Sequence, residues 1–445
     1  MKDSKLSTPK VAFLWDESFL WGLMAYKALT GLSLPFDLIK AEDIKAGTLN
    51  NYKMLFVPGG WASNKIRVLG EEGVIEVQKF VSEGGSYLGF CGGAGLATTG
   101  RDGLGLVNIK RRPTRERVPS FSGRIELNVN AHAMWKDIPP HPPLTKGGLR
   151  GGGNSSPVFH AWWPSQFIVE DEDIKILATY GDAMPDAFSS DICIGDVGSA
   201  DRWEELEAVY KINLNPARLR DEPAVIEGIY GKGKVILSLV HFDTPEDVIG
   251  QKVLVNLWEY LLRSEVRSQK LPPHPPLTKG GHRGGASAMP LSNIFSLSSE
   301  LISLGERNFL WFWRNSLLLQ WRRGVRGLEY NTLYIMMKEI AAQITEHRRQ
   351  ITEGGTQNTD HRTQITDKQI ENIKSLLTPF VEKAKHLLLL ERHALQKGHI
   401  TYERCDDPEI QRLRSELFSE SKSYGGKFKE LLDKVDRLLY LLLIS

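Results

Sequence analysis

Residues Gly84 to Ala97 read GGSYLGFCGGAGLA, and no other stretch constrains the fold so strongly. Ser86 to Phe90 has the short, apolar character of a strand buried on both faces. It leads directly into Cys91, and only small residues follow: Gly92, Gly93, Ala94 and Gly95. A residue on so tight a strand-to-helix turn is held in strained backbone geometry, and small neighbours are needed to avoid clashes. The turn aims the cysteine into a cleft at the carboxyl edge of a sheet. The helix starting there is expected to offer free N–H groups and a positive dipole end, which favour a thiolate and an oxyanion. Serine in this context would suggest an esterase, whereas cysteine suggests thioester chemistry.

The surrounding pattern fits such a sheet. Val11 to Trp15, Asp37 to Lys40 and Met54 to Val57 read as strands, Phe19 to Thr30 and Glu71 to Glu83 as helices. Short apolar strands separated by helices imply an α/β fold with a doubly wound, mostly parallel sheet covered on both faces. Arg124 to Val129 and Pro157 to Phe159 look like an added antiparallel element. Ile174 to Tyr180, Pro223 to Tyr230 and Lys234 to Val240 continue the sheet, and Val248 to Arg263 closes it with a helix.

A thiol nucleophile needs a base, and His241 follows the strand ending at Val240. Asp243, two residues on, is placed to turn back and orient the imidazole. The segment Val57-Pro58-Gly59-Gly60-Trp61 follows another strand, where glycines let backbone N–H groups approach a substrate carbonyl. Gly59, Gly60 and Gly92 are therefore the candidate oxyanion hole, and Cys91, His241 and Asp243 the candidate catalytic residues. Glu17, Trp61 and His160 are candidates for the substrate pocket, with Trp21 at the rim and Trp162-Trp163 as either a cleft wall or a core corner.

The order VPGG, GGSYLGFCGGAGLA, YGKGKVILSLVHFD resembles class I glutamine amidotransferase-like domains. More narrowly, it resembles the domain at the N-terminus of eukaryotic biotin–protein ligases, which also occurs alone in bacteria. That family carries GGxYLGxCAGAYLA or near variants, so Gly92 replaces an Ala and Gly95 often a Tyr. The resemblance implies a flavodoxin-like sheet, places the elbow cysteine at Cys91, the histidine at His241 and the oxyanion glycines at Gly59 and Gly60. Working amidotransferases have His-Pro-Glu where this chain has His241-Phe242-Asp243, a carboxylate shorter by one methylene.

The resemblance covers Lys10 to about Arg263 and stops there. Within it, Pro139 to Gly152 is repeated almost unchanged as Pro272 to Gly285, the copies differing only at Leu149 and His282. Near-identical segments rich in Pro and Gly have little to bury, so 139–153 reads as an inserted flexible repeat and 264–287 as a linker holding the second copy. Residues 288–445 carry helical apolar spacing and almost no strand signal, and are expected to be all-α. Trp311, Trp313 and Trp321 fall in one such stretch, forming either core or a face for a protein partner or a second copy. Gln343 to Gln369 repeats QIT, and is either poorly ordered or a helix broken at Gly354-Gly355.

A net charge of +2 gives no global field that favours nucleic acid or a membrane. No stretch is apolar enough for a membrane span, and no signal peptide precedes the first strand. The three cysteines, Cys91, Cys193 and Cys405, lack the spacing of a disulfide framework or a zinc site, so no metal or cofactor is expected and a cytoplasmic location is the simplest. A biotinyl-adenylate loop, a phosphate-binding loop and an ammonia-using synthetase domain are all missing from the motifs. The expected function is thus a cysteine-dependent amidohydrolase or amidotransferase-like protein acting on a small amide or similar carbonyl, and not a biotin ligase by itself. The alternative is a binding or regulatory module that retains the cleft without turnover.

Overall fold

The computed structural model describes residues 11–100, 103–139, 156–262, 289–354, 360–398, 400–401, 405–419 and 424–444. Residues 140–155, which hold the first repeat copy apart from Pro139, and 263–288, which hold Arg263, the linker and the second copy, lie outside the described residues. Two compact units divide the chain, one up to residue 269 and one from residue 270.

The first unit runs β1 (Val11–Leu14), α1 (Phe19–Gly31), β2 (Asp37–Ile39), α2 (Ala41–Lys45), β3 (Met54–Val57), α3 (Ala62–Ser82), β4 (Ser86–Phe90), α4 (Gly92–Leu96) and β5 (Lys110–Arg111). It continues with β6 (Phe121–Val129), β7 (Val158–Trp162), β8 (Phe167–Ile168), β9 (Lys175–Ala183), β10 (Phe188–Ser189), β11 (Ile192–Cys193), α5 (Ala200–Tyr210), β12 (Pro223–Tyr230), β13 (Gly233–Ser238) and α6 (Val248–Leu262). The parallel part of the main sheet has the order β2-β1-β3-β4-β13. From β13 the sheet continues antiparallel through β12, β9 and β6, with β7 and β10 both on β6.

Register places the site. Val57 lies opposite Gly89, and Phe90 opposite Ser238, so β3, β4 and β13 end together at one carboxyl edge. The loops leaving them carry Gly59-Gly60, Cys91 and His241. Behind this edge a chain of edge-on aromatic contacts crosses the strands: Phe13 to Phe56 at 5.2 Å, Phe56 to Phe90 at 5.3 Å, Phe90 to Phe242 at 5.8 Å. Trp258 of α6 packs on Phe56 at 5.4 Å. Each ring buries a large apolar surface and adds a directional contact. The loop bearing His241 is therefore anchored to the core by its neighbour Phe242.

Helix α3 begins at Ala62, earlier than the expected Glu71, and is bent at Gly70 (φ 61°, ψ −175°). The break at that glycine hides the first two turns from the apolar periodicity.

The second unit comprises α7 (Met289–Arg307), β14 (Trp311–Trp313), β15 (Leu319–Trp321), α8 (Gly327–Gly354), α9 (Asp360–Lys397), α10 (Pro408–Phe418) and α11 (Gly426–Leu443). The all-α expectation for 288–445 is corrected here: Trp311 and Trp321 face each other across an antiparallel hairpin, not along a helix. The turn is built by Asn315, whose Oδ1 accepts from the backbone of Leu317 (2.9 Å) and Leu318 (2.8 Å). The hairpin tryptophans pack where glycines leave room, since a Cβ at Gly305 would lie 2.0 Å from Trp311 and one at Gly327 2.2 Å from Trp321. The backbone of 343–354 and of 360–369 is helical, and 355–359 lie outside the described residues. Inside this unit Arg414 donates to Glu391 at 2.8 Å, and burial pushes the Glu391 carboxyl up to about 7 against the pull of Arg414. Among the described residues, no helix is long and apolar enough to cross a membrane.

Candidate active site

Cys91 sits on the elbow with φ 46° and ψ −103°. A non-glycine residue there costs about 1–3 kcal/mol and persists only when its surroundings determine it. They do so closely. The Cys91 N–H donates to Ser238 O at 2.8 Å, and Cys91 O accepts from Gly95 N at 2.9 Å. A Cβ at Gly92 would lie 1.8 Å from Gly60 O, and one at Gly93 1.9 Å from Val57 O. These glycines therefore let α4 press against the loop that follows β3. The structure thus brings Gly60 and Gly92 together at the cysteine turn and sets Gly59 of the same loop against His241 and Trp21.

One expectation needs correction. Helix α4 is five residues long. A single turn does not sum to the macrodipole of a long helix, so polarisation of the thiol falls to individual groups.

The main such group is His241. Its Nδ1 lies 2.9 Å from Asp243 Oδ1, and both side chains are wholly buried. The shortened carboxylate reaches because the chain turns sharply here. Thr244 Oγ1 donates to His241 O at 3.0 Å, while the His241 N–H donates to His160 O at 2.8 Å. The ring lies between Trp21, at 5.0 Å between centroids, and Gly59, whose Cβ would stand 3.3 Å from His241 Cε1. Its Nε2 is buried with no hydrogen-bond partner among the described residues, and Cys91 is near enough for its charge to act on the ring. Burial alone would lower the imidazole's affinity for a proton. The charge and hydrogen bond of Asp243, with Cys91 on the other side, outweigh it and push His241 up to about 10. The ring is then an imidazolium through the neutral range.

That direction has a consequence for stability. A histidine raised from about 6.5 stabilises the folded state fully below that pH and loses the contribution as pH rises through about 10. Between about pH 7 and pH 10, the Tm of the native protein should fall more steeply than that of His241→Gln. Parallel slopes in a calorimetric pH series would contradict the pairing.

The three pocket candidates are placed differently. Glu17 has φ 54°, and its carbonyl closes on Gly60, where a Cβ would meet it at 2.4 Å. Its carboxylate accepts from Asn64 Nδ2 at 3.1 Å. Trp61 is the residue before α3, half-buried, and no described contact takes its side chain to Cys91. His160 pairs with Asp247 at 2.8 Å and stacks on Trp162, whose Nε1 donates to Thr244 at 2.9 Å. His160 is a strut behind the His241 loop, and Trp162 is core.

Sequence reasoning missed Asp247, Thr244 and Lys65. Lys65 is wholly buried and donates to Asp16 O at 3.0 Å and to Ser18 Oγ, holding the loop that carries Glu17. The signal for it was present: Ala62, Lys65 and Leu69 share one face of α3, and a lysine on an apolar stripe needs a partner.

The family described as "Biotin-protein ligase, N terminal" matches residues 42–100, the span from α2 to just beyond α4. No curated protein matches the chain. Among solved structures, a glutamine amidotransferase is similar with 19% identity and a TM-score of 0.34, over 57% of this chain and 98% of that one. A protein described as a GMP synthase subunit, from Thermoplasma acidophilum, has 11% identity and a TM-score of 0.35, over 57% of this chain and 94% of that one. A β-galactosidase from Bacillus circulans sp. alkalophilus has 16% identity and a TM-score of 0.32, over 57% of this chain and 31% of that one.

Proposed function

We propose that the first unit is a cysteine-dependent amidohydrolase or amidotransferase-like domain of the class I glutamine amidotransferase-like superfamily, akin to the biotin–protein ligase N-terminal family. The observation that carries this reading is the buried His241–Asp243 pair set against Cys91 on a strained elbow. The parallel strand order β2-β1-β3-β4-β13 supports a flavodoxin-like, doubly wound arrangement, with the site at the carboxyl edge.

The chemistry follows from the placement. The Cys91 sulfur attacks the carbonyl carbon, and the carbonyl electron pair moves to oxygen, where the backbone N–H groups of Gly60 and Gly92 would receive it. As the carbon–nitrogen bond breaks, the His241 imidazolium gives its proton to the departing amine, leaving a thioester on Cys91. Water then attacks the thioester, His241 takes a proton from it, and the acid leaves as the sulfur departs. Asp243 holds the imidazole through Nδ1 in both halves.

An activated ester tests this without knowledge of the substrate. Mixing the protein with 4-nitrophenyl acetate should give a stoichiometric burst of nitrophenolate and an acetyl thioester on the peptide containing Cys91. Cys91→Ala should abolish both, and Cys193→Ser and Cys405→Ser should not. A burst that survives Cys91→Ala, or no burst from the native protein, sinks the reading and leaves a binding module without turnover.

A further inference from the structure

Three polar groups that the triad does not use lie in the neighbourhood of the Cys91 turn. Arg111 of β5 lays its guanidinium against Gly95, where a Cβ would lie 3.0 Å from Nη1 and 3.5 Å from Cδ. Gly95 is itself hydrogen-bonded to Cys91 O, so this guanidinium stands over the turn that carries the thiol. Arg117 follows in the next loop. Burial weakens its hold on a proton and the charge of Arg111 weakens it further, while Cys91 acts in the opposite sense. The third group is Tyr180 of β9, wholly buried, whose hydroxyl has no hydrogen-bond partner among the described residues. Burial first, then Cys91 and Glu222, keep that hydroxyl protonated and therefore a donor.

The loop presenting Arg117 is firmly held. Val118 N donates to Gln166 Oε1 at 3.0 Å, and Asn213 Nδ2 donates to the carbonyls of Arg115 (3.1 Å) and Arg117 (3.0 Å). Arg117 Nη2 donates to Thr114 Oγ1 at 2.7 Å, yet its Nε is buried without a partner. The neighbouring Arg112 has a carboxylate, that of Glu222 at 2.8 Å. Among the described residues neither Arg111 nor Arg117 has one. Two adjacent like charges, a buried unpartnered N–H and a buried unpartnered O–H form a set of donors with no acceptor. Leaving the buried Arg117 Nε–H and Tyr180 O–H unpaired costs about 1–3 kcal/mol each, and an anion reached also by the exposed Arg111 guanidinium would satisfy them.

We propose that Arg111, Arg117 and the Tyr180 hydroxyl form an anion subsite beside Cys91, so that the substrate is an amide or ester carrying a carboxylate or phosphate group near its reacting carbonyl. The inference rests on Cys91 being the reacting group. The guanidinium pair holds the substrate's charge, and the acyl carbon is thereby presented to the sulfur.

Two alkylating agents separate the subsite from the nucleophile. Iodoacetamide and iodoacetate both lose iodide to the same sulfur attack at a CH2 carbon, and only iodoacetate is an anion. Their rate ratio at one cysteine therefore cancels that thiol's reactivity. The ratio of iodoacetate to iodoacetamide labelling should be at least about tenfold higher at Cys91 than at Cys193 or Cys405 in the same molecule. The double variant Arg111→Met, Arg117→Met should bring it to their level, and Arg117→Lys should retain part of it. A ratio at Cys91 no higher than at the other cysteines, or one unmoved in the double variant, overturns the subsite. Slow iodoacetamide labelling of Cys91 would instead overturn the nucleophile reading, because it does not depend on the ratio. Protection of native Cys91 from iodoacetamide by succinate identifies a carboxylate ligand, and protection by inorganic phosphate a phosphate ligand. Protection by neither overturns the proposal, and this arm needs no variant to fold.

Discussion

Replacing His241 by Gln is expected to slow carboxamidomethylation of Cys91 about 100-fold at about pH 6.5, with Cys193 and Cys405 unaffected. Glutamine fills much of the ring's volume and hydrogen-bonds, but it cannot carry a charge. The native imidazolium, held by the buried Asp243 at 2.9 Å, is the cation that the sulfur needs at neutral pH. The short helix α4 cannot substitute for it. Asp243→Asn should act in the same direction, because an amide at that position favours the wrong tautomer of the ring. Peptide-level mass spectrometry reads all three cysteines at once, and a thermal melt of each variant establishes that it folds. A loss smaller than about threefold in folded His241→Gln would mean that His241 does not activate the thiol.

Gly92→Ala should cost about 3 kcal/mol or more, enough to remove much of the stability of an ordinary domain. The new Cβ would be placed 1.8 Å from Gly60 O, and neither partner is a flexible side chain that can swing aside. Either α4 lifts from the loop after β3 or the strained turn at Cys91 relaxes. Both outcomes separate the thiol from the glycines around it. Gly31→Ala is the control, since a Cβ there meets nothing within 4 Å. It should change stability by less than about 1 kcal/mol. Equal denaturation midpoints for the two variants would show that the close approach at Gly92 does not determine the elbow.

The elbow was legible in the sequence because its causes are local. An apolar strand runs into a cysteine whose neighbours must be small, and the steric reason follows from those residues alone. His241 and Asp243 were legible for a similar reason, being two residues apart just past a strand. What escaped are groups that topology assembles across long separations. Asp247 reaches His160 over 87 positions, and Lys65 reaches Ser18 over 47. Arg111, Arg117 and Tyr180 come from β5, the loop after it and β9, and no spacing in the chain signals the subsite proposed for them. The hairpin of the second unit failed for another reason. Trp311, Trp313 and Trp321 suit either a helix or two strands, and the choice falls to Asn315, Gly305 and Gly327, which build the turn and make room for the rings.

The most direct test of a Cys91–His241–Asp243 nucleophile is the pH–rate profile of iodoacetamide labelling, followed separately at Cys91, Cys193 and Cys405 from about pH 6 to pH 9.5. Cys91 should be labelled at least about tenfold faster than Cys193 and Cys405 across this range, and the gap should close in His241→Gln. Three superimposable rising profiles would mean that Cys91 is an inert cysteine on a well-built turn.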